Sequence, residues 1–139
     1  MNYPRIMVAA LGGFVAYFGL GGLLFGAIPL LRNEFLKFPA VYRSRDGQMS
    51  HMPAGMAAMF FSMVVLATLY ARSYRGGSGA VKGARFGALI GVFAICSFVV
   101  HNYVNLNIGL TLTLQQSAAH FLEWIVTGLV IGLLYRPGH

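Results

Sequence analysis

Four long apolar runs decide what this chain can become. They cover about residues 6–31, 53–71, 84–104 and 114–135. Each is near the roughly 20 residues that a helix needs to cross a hydrocarbon layer about 30 Å thick. Backbone amides find no partner in lipid, so only helices and closed barrels cross it, and continuous apolar runs without alternation are helical. The expected fold is an all-α membrane protein, a four-transmembrane-helix bundle forming a single integral membrane domain over residues 1–139. Composition points the same way. The chain is 58% hydrophobic and only 9% charged, where a soluble domain carries about 25% charged residues. That leaves too little polar surface to cover a water-soluble globule. The first run exceeds the length of a signal-peptide core and is expected to be retained, tilting or extending past the lipid.

Charge sets the expected orientation. Ten Lys and Arg face three Asp and Glu, for a formal charge of +7. The loop over residues 72–85 holds four basic residues and no acid, the pattern of a cytoplasmic loop. Both termini then face the cytoplasm. That side collects Arg5, Arg72, Arg75, Lys82, Arg85 and Arg136, against Arg32, Lys37, Arg43 and Arg45 in the first loop. The first loop also carries Phe35, Leu36, Phe38, Val41 and Tyr42, with Pro39 interrupting it. It reads either as a short amphipathic segment resting on headgroups or as an ordinary loop folded onto the bundle. The lipid bilayer is the first partner implied. No basic run with interleaved aromatics of the nucleic-acid kind occurs.

Small residues show where helices would meet. Gly83, Gly87 and Gly91 are four apart, as are Gly22 and Gly26, and Gly128 and Gly132. Lipid tails are as apolar as leucine, so helices in a bilayer associate by close backbone approach, which this spacing permits. The contacts are expected within the bundle, with a homodimer or a larger membrane complex as further partners. Five of the seven methionines, Met49, Met52, Met56, Met59 and Met63, follow steps of three and four, the spacing of one helical face. Pro53 suits the first turn of a helix, so Met49 and Met52 are expected to precede span two. Met56, Met59 and Met63 read as flexible packing material more than as a soft-metal path. The single cysteine, Cys96, lies in an apolar run and reads as a small packed hydrophobe.

The fourth run carries most of the chemistry. Thr113, Gln116, His120, Glu123 and Thr127 repeat the three-four spacing and make a polar stripe. A charged Glu123 near mid-membrane costs at least about 2.5–3.5 kcal/mol on insertion scales, so it should face inward and find a partner. His120 is the nearest on the same face. Ser97, His101 and Asn105 are spaced by four in the third run, with Asn102 beside them. His51, His101 and His120 all fall toward the same side of the membrane under the expected orientation. Three functional readings follow. Glu123 with His120 could bind a proton in a small transporter. His120, His101, Glu123 and His51, with Met52 and Met56 nearby, could hold a transition metal. His101 or His120 could ligate a haem or chlorophyll-type ring between helices. The plainer alternative is a hydrogen-bonded network among Glu123, His120, Gln116, His101, Asn102 and Asn105 that fixes helix register. No cofactor is required by any motif. No Gly-x-Ser-x-Gly, Walker loop, His-Glu-x-x-His or CxxC is present, so no catalytic activity is expected.

The segment HNYVNLNIGLTLTLQQSAAHFLEWIVTGLVIGLLYRP, with FPAVYRS in the first loop, resembles a group of small bacterial inner-membrane proteins with four spans. The likeness covers most of the chain. It implies a four-helix fold in a bacterial plasma membrane and no activity. The steps Met52 to Met56 and Met59 to Met63 are also similar to those of copper-uptake channels. Those channels have three spans and a methionine-rich outer tail, which this sequence departs from. The expected function is a polar intramembrane pocket, formed by Glu123, His120, His101, Gln116, Asn102 and Asn105, that binds or passes a small solute, proton or metal ion. The alternative is a non-catalytic accessory subunit of a larger membrane complex.

Overall fold

The structure, a computed structural model, describes residues 2–135. Helix α1 spans Tyr3–Gly21. Its start is fixed locally, because the Asn2 side chain accepts a hydrogen bond from the Arg5 N–H at 3.2 Å, with proline in the first turn. A π-helical turn, Gly22–Ala27, extends it. The helix then breaks at Ile28, which is extended at φ −83° and ψ 112°. The cause is Pro29, whose ring disfavours a helical residue before it. The first apolar run is therefore not one span to Leu31. Pro29 opens a separate short helix, α2, Pro29–Leu36.

Helix α3 spans Arg45–Ser73. Ser44 caps it by accepting the Gly47 N–H at 3.3 Å, and Asp46 in the first turn complements the helix dipole. These signals outweigh Pro53, which lies inside the helix and not at its start. Proline there removes one bond, that to the Met49 carbonyl, on a stretch that is exposed throughout residues 51–58. Met49 and Met52 are thus helical, contrary to expectation. Glycines at φ 82° and 90°, Gly76 and Gly77, make the turn into α4, Gly79–Ala94. Lys82 bonds the Gly76 carbonyl there, and the Tyr74 hydroxyl donates to that of Gly77 at 2.7 Å. A second π-helical turn, Ile95–Val99, leads into α5, Val100–Asn105. Helix α6, Leu110–Leu134, completes the described chain. All regular structure among the described residues is helical. Four helices, counting each π-helical turn with its neighbours, are long and apolar enough to cross a membrane: Tyr3–Ala27, Arg45–Ser73, Gly79–Asn105 and Leu110–Leu134.

Helix α6 occupies the centre, packed between α4 and α1, while α3 rests mainly on α1. The α4–α6 seam is made of backbone against backbone. A Cβ added at Gly128 would lie 2.6 Å from Gly87 Cα, and one at Gly83 would lie 2.9 Å from Gly132 Cα. Gly91 instead meets the Phe121 side chain. Gly22 and Gly26, the third pair in the sequence, are open: a Cβ added at either would have nothing within 4 Å.

The two ends of the bundle differ. Where α1 begins, α3 and α6 end and α4 begins, the helices close on one another. Ile6, Ala9 and Ala10 pack there against Met63, Ala67, Tyr70 and Ile131. The Tyr70 hydroxyl donates to the Gly79 carbonyl at 3.2 Å, tying α3 to α4. At the opposite end, which carries α2 and the 106–109 turn, α3 leans away. Burial along the methionine stripe records this: Met63 is fully buried, Met59 half-buried, and Met56 and Met52 exposed. Four of the basic residues expected on one side, Arg5, Arg72, Arg75 and Lys82, lie toward the closed end; Arg136 lies outside the described residues.

Candidate functional site

The polar stripe of α6 is turned inward. Thr113, Gln116, Glu123 and Thr127 are buried and His120 is half-buried. Glu123 is 1% exposed. By helical rise it lies about 20 Å from the first residue of α6 and about 16 Å from the last, near mid-depth. Its Oε2 shares a 2.5 Å hydrogen bond with His120 Nδ1. The i, i+3 spacing brings the two side chains together on one helix face. A hydrogen bond between these atoms needs a donor, which can be the imidazole N–H or a carboxyl O–H.

Helix α1 supplies the opposite wall. Gly21 approaches so closely that an added Cβ would sit 2.5 Å from Glu123 Oε1. A side chain at this position would displace the carboxyl from where it stands. One turn on, the π-helical turn brings Phe25 against His120, with ring centroids 5.3 Å apart. Tyr17 stacks on Trp124 at 4.9 Å, flanking the pair on its other side. Above it, Gln116 Nε2 donates to the Tyr42 hydroxyl at 3.3 Å, which ties the first loop to α6. Gln116 Oε1 and Thr127 Oγ1 are buried and have no hydrogen-bond partner among the described residues.

The third span does not join this site. His101 and Asn105 are exposed and Asn102 is half-buried. His101 Nδ1 contacts the Cys96 carbonyl of its own helix at 3.3 Å, and Asn105 donates to the His101 carbonyl at 2.9 Å. The cause is the Ile95–Val99 π-helical turn. A continuous α-helix running on from Gly87 and Gly91 would turn positions 98, 101 and 105 toward α6. A π-helical turn adds a residue and rotates everything after it by about 100°. Val99 is buried in consequence, while Phe98 is 70% exposed. Cys96, expected to be packed, is exposed because it continues the outer face of α4, one turn on from Val92 and two from Leu89. The network of six residues expected from spacing thus reduces to two separate pairs, Glu123 with His120 and Gln116 with Tyr42.

The metal-ligand set is not assembled either. His51 is exposed and bonds the Gly47 carbonyl of its own helix at 2.8 Å. Among the described residues, no three His, Cys, Asp or Glu side chains gather in a group that could hold a metal ion. His120, the other candidate ring ligand, has its Nδ1 engaged by Glu123 and one face covered by Phe25.

Above the pair lies a cavity of about 660 Å³ that sequence spacing did not reveal. It sits between the π-helical turn, α2, the first loop and the start of α3. Phe25 and Tyr42 belong to its wall, and the same two residues contact His120 and Gln116 on their other sides. The cavity and the buried pair are therefore one side chain apart. The signal that could have found it is the mixture of aromatic and basic residues between positions 32 and 45. Comparison of the chain with known protein families, with curated proteins and with solved structures returns no match.

Proposed function

We propose that this chain is an integral protein of a bacterial plasma membrane, with both termini cytoplasmic, that binds a proton at Glu123–His120 and couples it to a small solute entering from the α2 end. The observation that carries this reading is the buried, hydrogen-bonded carboxylate–imidazole pair at mid-depth. An ionisable group held in a span is expensive, and retaining one favours a role in proton or solute movement. The surroundings support it. The pair is shielded toward the closed end by the packed core. Toward the other end Phe25, which packs on His120, also lines a roomy cavity.

The test uses the chain's scarcity of acids, with only three Asp and Glu in all. Infrared difference spectra between acidic and alkaline buffer resolve protonated carboxyl bands. A reversible band lost in Glu123→Gln, and titrating at a different pH in His120→Ala, is the expected result. A Glu123 carboxyl that keeps one protonation state over the whole pH range of the folded protein would refute the reading.

A specific observation favours a second reading, that of an accessory subunit. Gly19 and Gly22 on α1 and its π-helical extension, and Gly55 on α3, are open, with no neighbour at contact distance. Small residues on a lipid-facing surface permit close approach by another helix, from a second copy or a larger complex. Gentle extraction followed by mass measurement separates the two: a monomer that still titrates Glu123 supports the first, and stoichiometric larger subunits support the second.

A further inference from the structure

We infer that the cavity at the α2 end is a binding site for the phosphate group of an amphiphile, with Arg32, Arg43 and Arg45 gripping the phosphate and an aromatic wall taking the apolar part. This goes beyond the proton-binding reading and stands or falls separately from it.

Three guanidinium-bearing residues line the cavity. Neither acid of this region does so: Glu34 is buried in a 2.5 Å ion pair with Lys37, and Asp46 is exposed on α3. Among the described residues none of the three arginines has a carboxylate partner. Three exposed cationic residues on one cavity wall, without a counter-charge, form a site that an anion completes. Arginine presents a planar fork of donors that matches phosphate oxygens two at a time.

The backbone adds to the same field. Ser44 and Arg45, at the N-terminus of the long helix α3, are part of the wall. Unsatisfied N–H groups and the partial positive charge at a helix start favour an anion. The loop that presents Arg43 is held in place, since Gln48 Nε2 donates to the Arg43 carbonyl at 3.0 Å.

Apart from Ser44 and Gln48, the rest of the wall is apolar or aromatic. Phe25, Phe35 and Tyr42 make a continuous run of edge-to-face ring contacts, at 5.7 and 4.9 Å between centroids. A cavity of about 660 Å³ is far larger than a free phosphate needs and falls in the roughly 300–1,000 Å³ range of organic-ligand sites. Its depth matches an amphiphile as well. Helix α3 has 29 residues, about 43 Å by helical rise, against a hydrocarbon layer of about 30 Å. With its Arg72 end at one boundary, Pro53 lies near the other boundary and Arg45 lies about 12 Å beyond, among headgroups. Phe25 and Gly26, near the end of the first span, reach down toward the acyl chains. Phosphate at the arginines and hydrocarbon at the rings is the polarity the bilayer itself imposes.

The same chemistry could come from a bilayer lipid or from a soluble phosphate ester, and the test separates them. Purified full-length chain in a non-ionic detergent is titrated calorimetrically with dihexanoyl-phosphatidylglycerol and, separately, with glycerol 3-phosphate. Saturable binding of the lipid alone supports the site and assigns it a lipid headgroup. Saturable binding of glycerol 3-phosphate supports it and assigns a soluble ester. In either case Arg43→Ala with Arg45→Ala should weaken binding about tenfold or more, since each charged hydrogen bond lost is worth at least that factor. Arg72→Ala, at the closed end, should leave it unchanged. Arg32→Lys, Arg43→Lys and Arg45→Lys together keep the charge and the fold but remove the fork, and should weaken binding to an intermediate degree. Binding of neither probe by the folded wild-type chain overturns the inference, as does binding that the arginine variants leave at full strength.

Discussion

Replacing Gly128 by alanine puts a methyl group where α4 and α6 have no room for one. The added Cβ would lie 2.6 Å from both the Cα and the N of Gly87. These are backbone atoms, so no rotamer change relieves the overlap and the two helices must separate or tilt. Forcing one extra carbon into a packed seam costs about 1–3 kcal/mol. Alanine also favours the helix over glycine by about 1 kcal/mol, so Gly128→Ala alone would understate the clash. Gly55→Ala supplies the reference. Gly55 lies inside α3 with nothing within 4 Å of the added carbon, so it carries the propensity gain without the overlap. The stability difference between the two variants cancels propensity and isolates the seam, and should be about 1–3 kcal/mol in favour of Gly55→Ala. Unfolding in mild detergent by added dodecyl sulfate can be followed through Trp124, the chain's single tryptophan, whose backbone contacts the seam at Gly87. Equal stability of the two variants would mean that α4 and α6 are not in backbone contact.

Other outcomes follow from single contacts. Gly21→Ala should push the Glu123 carboxyl off His120 and shift its infrared titration, since the new Cβ would lie 2.5 Å from Oε1, while Gly22→Ala, with open space around it, should leave the titration in place. Tyr42→Phe removes the only acceptor for Gln116 Nε2 among the described residues and should cost about 1–3 kcal/mol of stability for the buried amide left unpaired, most of it recovered by Gln116→Leu in the same chain; no loss in Tyr42→Phe would mean the loop is not docked on α6. In a Cys96→Ser background, Met56→Cys should react readily with a small maleimide and Met63→Cys should resist it until the protein unfolds, and equal reactivity would refute the splaying of α3. Deleting Ser97 should convert the Ile95–Val99 turn to ordinary α-helix and leave the residues beyond it on the same face, because the turn already absorbs one extra residue. His101→Cys in that deletion should then stay as reactive as in the undeleted chain, and protection from the same reagent would show that the turn does not set the face of α5.

Sequence and structure part company in ways that can be traced to particular residues. The helix count, the inward polar face of α6 and the pairing of Glu123 with His120 were legible, because all rest on regular 3.6-residue periodicity within one helix. The Gly83–Gly87 and Gly128–Gly132 contacts were legible as a tendency, but spacing alone could not separate them from Gly22 and Gly26, which are spaced alike and left open. That choice is made by which helices become neighbours. Pro53 misled because a proline is tolerated inside a helix whose flank is exposed, and the capping signal at Ser44 lay farther upstream. The third-span cluster failed on a single inserted residue. Nothing in the ICSFV segment marks it as π-helical, yet that turn moves His101 and Asn105 from the bundle to its outer face.

The two halves of the bundle solve opposite problems, and each depends on the other. In the closed half, α6 meets α4 through glycine backbones and meets α1 and α3 through Ile131 and Tyr135. Contacts that close fix the rotation and height of α6, because backbone cannot adapt as side chains do. A helix held firmly at one end carries a defined register to the other without dense packing there. The open half uses that freedom. Gly21 can stand against the Glu123 carboxyl, and both π-helical turns, at Gly22–Ala27 and Ile95–Val99, adjust the neighbours of α6 beside its polar stripe. Such turns interrupt regular hydrogen bonding and concentrate at functional sites. If the glycine seam sets the register of the site, then Gly128→Ala should disturb the titration of Glu123 from a distance, although Gly128 touches neither member of the pair. A Glu123 titration identical to wild type in a folded but measurably destabilised Gly128→Ala protein would show that the two halves are independent.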